Sequence, residues 1–153
     1  MIQKCLRLLL LAVCASFLFS ACQSRPDSYD LSGQPIHFSA YQGKWIVINY
    51  WASWCKPCWQ EIPALNAFSK DYALKAVVLG VNYREAKPED LPALAQKLGI
   101  QFPVLKTDPA VQLKLPAIQG LPATVLIDPA GKFEQILFGE QTEASLVEAM
   151  RLK

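Results

Sequence analysis

A run of β-prone apolar residues from Ile46 to Trp51 ends three residues short of a Cys-x-x-Cys pair, Cys55 and Cys58, with Pro57 between them and Glu61 one turn further on. The run is apolar enough to be buried on both faces, which is the pattern of a strand inside a parallel or mixed sheet rather than at its edge. Two thiols at that spacing, where a strand turns into a helix, are placed to form a disulfide and to be reduced again.

The reactivity expected of the pair follows from its position. A helix beginning at Cys55 or Lys56 presents unpaired N–H groups and the positive end of its dipole to the first sulfur, which favours the thiolate. Thiol pKa values at such positions fall from about 8.5 into the range of about 3.5 to 7.5. Cys58, one turn deeper on the same face, is set to attack a mixed disulfide formed at Cys55 and release the product. Pro57 suits the first turn, where its missing N–H would have had no partner. Other uses of two cysteines fit less well. A structural zinc ion needs four ligands, and the exported part of the chain adds only His37 and Cys22. Covalent haem attachment requires histidine where Trp59 stands. A permanent disulfide closing so short a loop would stabilise little. No metal or cofactor is called for.

The 153 residues suffice for one domain, and a hydrophobic fraction of 52% supports a real core. The formal charge of +2 is carried by Lys4 and Arg7, since removing them leaves 13 basic against 13 acidic residues. A domain so balanced gives no reason to expect nucleic acid. Those two basic residues precede an apolar run, Leu8 to Phe19, then Ser20, Ala21 and Cys22, which is the pattern of a secretory signal and is short for a membrane span. The Phe-Ser-Ala-Cys ending resembles a bacterial lipobox. That resemblance implies a signal over residues 1–21, lipidation at Cys22 and, from Gln23 after it, an outer-membrane destination in a cell that has one. Residues 22–33 then read as a polar tether and 34–153 as the domain.

Within the domain, strands are expected at Ile36–Ser39, Lys44–Trp51, Ala76–Asn82, Ala123–Ile127 and Phe133–Phe138, with a short one at Val104–Leu105. Helices are expected from about Lys56 to Tyr72, kinked by Pro63, from Pro88 to Leu98 with Gly99 as the stop, briefly from Asp108 to Leu115, and from Thr142 onward. Alternation of this kind gives an α/β fold, a central mixed β-sheet flanked by helices, with the chemistry at the carboxyl ends of the strands, where Trp51–Cys58 lies.

The segment Asn49-Tyr-Trp-Ala-Ser-Trp-Cys-Lys-Pro-Cys-Trp-Gln-Glu-Ile-Pro63, together with Gly120-Leu-Pro-Ala-Thr-Val-Leu-Ile-Asp128, resembles the thioredoxin-like TlpA/ResA family of extracytoplasmic thiol-disulfide oxidoreductases. The resemblance covers roughly residues 33 to 150. It implies a thioredoxin-like fold, Cys55 as attacking thiol, Cys58 as resolving thiol, and a cis peptide at Leu121-Pro122 beside the disulfide, where the backbone pairs with an extended substrate. Asn49 stands where cytoplasmic thioredoxins carry a buried aspartate. Because asparagine cannot accept a proton, Glu61 becomes the candidate acceptor for Cys58; the competing expectation is a first-turn carboxylate favoured only by the helix dipole. Trp54 is expected as an exposed platform for partners, Trp51 as core, and His37 as a surface residue. The partners implied are protein thiols and disulfides, a membrane electron donor, and the membrane itself through the lipid. A reductase, for example in cytochrome c maturation, is the favoured direction and an oxidase or isomerase the alternative. A thiol peroxidase wants threonine where Ala52 stands, and a copper-carrying module wants a histidine after Cys58. A non-catalytic module with a vestigial motif is the remaining expectation.

Overall fold

The computed structural model describes residues 25–83 and 86–152. The signal expected over residues 1–21 and the lipidation site Cys22 lie outside the described residues. A four-stranded sheet has the order β4-β3-β5-β6, built from β3 (Trp45–Trp51), β4 (Ala76–Asn82), β5 (Ala123–Ile127) and β6 (Phe133–Phe138). β3 runs parallel to β4 and antiparallel to β5, which is antiparallel to β6. The crossover from β3 to β4 is the long helix α1 (Lys56–Asp71), and α2 (Leu91–Leu98) and α3 (Glu143–Ala149) complete the helices. This is the mixed sheet flanked by helices that the strand pattern implies.

Alternation along β3 sorts the core. Ile46, Ile48 and Tyr50 join one apolar cluster with Leu79, Val81, Val125 and Ile127, whereas Val47 joins the other with Ile62, Leu65 and Phe68 of α1 and Leu146 of α3. The second face is therefore covered by α-helices. The first is covered instead by a single 3-10 turn, Phe38–Tyr41, and by Leu113, Leu115 and Ile118 from irregular segments. α1 continues through Pro63. A proline inside a helix costs about 3 kcal/mol. Ile62, Leu65 and Phe68, each at most 1% exposed, return about 1.5–3 kcal/mol apiece, and packing wins over the broken backbone bond.

Several boundaries differ from those expected. Of the first expected strand only Ile36 is paired, within β2 (Pro35–Ile36), whose partner is β1 (Ser28–Tyr29), and His37 is the extended residue before the 3-10 turn. β1 lies in the stretch that composition assigns to the tether, yet Asp30 bridges Leu105 and the Ser28 hydroxyl meets Thr107 Oγ1 at 3.0 Å. Polar composition does not mark a free tether there, because the Asp30 backbone and the Ser28 hydroxyl are paired with the domain. The helix expected at Asp108–Leu115 is one unpropagated turn: Asp108 Oδ1 accepts from Ala110 N–H, Leu113 N–H bonds Pro109, and the chain turns away at Lys114 with φ 53°. Val104 and Leu105 form isolated bridges rather than a strand, one of them onto Gly80 of β4.

Candidate active site: a disulfide at the start of a helix

Cys55 is the N-cap of α1, with extended backbone (φ −83°, ψ 93°), and its Sγ accepts a hydrogen bond from Cys58 N–H at 3.3 Å. The two sulfurs are bonded to each other. Cys58 is fully buried and Cys55 is 4% exposed, so the bond is approached from the Cys55 side. Lys56 and Pro57 beside it are exposed, and Pro57 occupies the first turn. Leu121-Pro122 is a cis peptide, and Leu121 packs against the cluster that holds both cysteines with Trp51, Ala52 and Val104. Trp54 is 66% exposed and Trp51 is fully buried.

The buried face of α1 carries Cys58, Glu61, Ile62, Leu65 and Phe68 at helical spacing. Glu61 therefore points into the protein beneath the sulfurs and is not a first-turn residue, which disposes of the dipole-only account. Its Oε1 accepts from Asn49 Nδ2 at 2.7 Å and its Oε2 from the Gln141 backbone N–H at 3.0 Å. Burial pushes its pKa from the ordinary 4.5 up to about 7; the Asn49 and Gln141 donors oppose that rise and the nearby Glu140 charge adds to it. A carboxylate that exchanges its proton near neutrality, one helical turn from a buried thiol, has the proton affinity a general base for that thiol needs.

A family model described as the AhpC/TSA family matches residues 20–136. The chain belongs to the AhpC/TSA family. The thiol-disulfide oxidoreductase ResA of Bacillus subtilis is 34% identical over 125 residues, 80% of this chain and 69% of the relative. The thioredoxin-like protein YneN of the same organism is 31% identical over 124 residues, 80% of this chain and 72% of that one. Among solved structures, the exposed lipoprotein thioredoxin of Streptococcus pneumoniae superposes with a TM-score of 0.71 at 25% identity, covering 81% of this chain and 96% of its own. The fold is thus thioredoxin-like, and the protein is a thiol-disulfide oxidoreductase of the ResA type with Cys55 and Cys58 as its Cys-x-x-Cys pair.

Around Glu61 this oxidoreductase gathers residues that its sequence does not mark. Thr124 is the register partner of Asn49, and its Oγ1 accepts from Asn49 Nδ2 at 3.3 Å. Gln141 reaches Glu61 only through its main chain; its side chain is occupied by Gly139 O and the Ser145 hydroxyl. No residue-type signal marks a backbone N–H, but Thr142 and Ser145 form a capping box that fixes the turn presenting it. Trp59 has a bracing part as well: its Nε1 donates to Ser53 O at 3.0 Å, and Lys97 Nζ lies 5.6 Å from the ring centroid, tying the helix start to α2. His37 stands at the 3-10 turn, on the segment covering the face of the sheet away from α1.

Proposed function

We propose that the protein is a reductase of protein disulfides, working outside the cytoplasm and held at a membrane by lipid on Cys22. Likeness to the thiol-disulfide oxidoreductase ResA supports that direction, and Glu61, whose proton affinity lies near neutrality, is suited to exchange a proton with Cys58. In the dithiol form the Cys55 thiolate attacks one sulfur of a client disulfide and expels the other as a thiolate. Glu61 takes the proton of Cys58, whose sulfur attacks Cys55 Sγ, closes the Cys55–Cys58 bond and releases the second client thiolate. The client gains two electrons, the enzyme loses them, and a membrane-borne dithiol donor restores the pair. An extended client segment lies along the backbone at Leu121-Pro122, with Trp54 and Pro57 as the exposed apolar rim. Cysteines awaiting haem in cytochrome c maturation are a client class that needs this reduction. Similarity to an exposed lipoprotein thioredoxin supports the location, and Gln23 favours the outer membrane where there is one. The residues preceding Asp27 are the available tether.

The reduction potential of the Cys55–Cys58 couple tests the direction. A value at or below about −270 mV, that of a reductant, is expected. A value near about −120 mV, that of a strong oxidant, would reverse the assignment to an oxidase.

A further inference from the structure

Asn49 sits fully buried in the middle of β3, where its neighbours on the strand are apolar. Its amide is incompletely satisfied: Nδ2 donates to Glu61 Oε1 at 2.7 Å and lies 3.3 Å from Thr124 Oγ1, while Oδ1 has no hydrogen-bond partner among the described residues. The ionised carboxylate of Glu61 can only accept, so toward that form the amide turns its nitrogen, and doing so strands its oxygen. Leaving a buried acceptor bare is unfavourable. Nothing in the packing of the strand calls for a polar side chain at this point, and the contact that compensates is the charge-assisted bond to Glu61.

We propose that Asn49 is a positioning residue for the redox reaction: by fixing the Glu61 carboxylate and donating to its charged form, it sets the pH at which Cys58 can be deprotonated. The inference rests on the reading of Glu61 as the acceptor of the Cys58 proton. The groups facing Glu61 are Cys58 on its own helix, Glu140 and the Gln141 N–H from the turn before α3, Asn49 from β3, and Thr124 behind Asn49 on β5. Of these only Cys58 and Glu140 titrate. Cys58 is the substrate of the transfer and Glu140 is exposed, leaving Asn49 as the side-chain donor that tunes the carboxylate. Thr124 Oγ1 holds the amide in its working orientation.

The test is the pH dependence of single-turnover reduction of a disulfide-bonded peptide by the dithiol form of the full chain. The wild-type rate should carry a step near neutrality that Glu61→Gln removes. Asn49→Leu, which deletes the donor, should keep the step and move it up by about one to two pH units, the worth of a hydrogen bond to a charged group. Asn49→Ala, which removes the same donor with no branched chain to fit, should move the step the same way; it decides the matter if the leucine variant fails to fold. A step removed by Glu61→Gln but unmoved in the folded Asn49 variants overturns the role of Asn49. A step that survives Glu61→Gln overturns the reading of Glu61 and this inference with it.

Discussion

Glu61 makes the stability of the disulfide form depend on pH in a direction opposite to that of most carboxylates. Its pKa is raised in the folded protein from 4.5 to about 7. Between those values the folded chain keeps a proton that the unfolded chain has lost, so stability falls as pH rises. The contribution is whole below about 4.5 and gone above about 7. At 1.36 kcal/mol per pH unit of displacement, the loss across that window is about 3 kcal/mol. Full burial of the side chain means that solvent screens little of this. Glu61→Gln keeps the volume and cannot ionise, so other titrating groups cancel when the two proteins are compared. Urea unfolding of the oxidised form from about pH 4 to about pH 8.5 should show the wild type losing about 3 kcal/mol relative to the variant. Curves that stay parallel, or a wild type that gains on the variant as pH rises, would refute the raised proton affinity and remove the basis for Glu61 as a base.

Two further outcomes follow from the geometry. Cys58→Ser should trap a mixed disulfide between Cys55 and a peptide client, seen as a covalent adduct by mass spectrometry under non-reducing conditions; equal adduct formation by Cys55→Ser would make Cys58 the attacking thiol instead. Gly80→Ala would place a Cβ 3.0 Å from Val104 Cγ2 and 3.2 Å from both Phe102 Cε2 and Trp51 Nε1. Overpacking there should lower stability by about 1–3 kcal/mol, and an unfolding midpoint equal to that of the wild type would contradict the close approach of that segment to β4.

Strand positions β3 to β6 were legible because each is a short, dense run of β-branched and aromatic residues bounded by turn chemistry. The turn between β5 and β6 shows why: Asp128-Pro-Ala-Gly-Lys132 is composed of turn-forming residues, and Asp128 Oδ1 accepts from Ala130 and Lys132 N–H within it. The cysteine pair was legible for the same reason, since strand, helix start and proline all lie within one local stretch. The docking of the β1 segment was not, because the partners of Asp30 and Ser28 lie some 75 or more residues away at Leu105 and Thr107.

The sequence by itself determined the α/β order, the two sulfurs in the opening turn of a helix and the presence of Asn49 and Glu61 as candidate polar groups, since each depends on spacing along one strand or one helix. Only the tertiary structure decided what Glu61 is. Its proton affinity arises from burial beneath the sheet and from donors on β3 and on the turn before α3, at positions 12 and 80 residues away in the chain. Desolvation and hydrogen bonding act through space, and no periodicity in the chain encodes which main-chain N–H will meet a carboxylate.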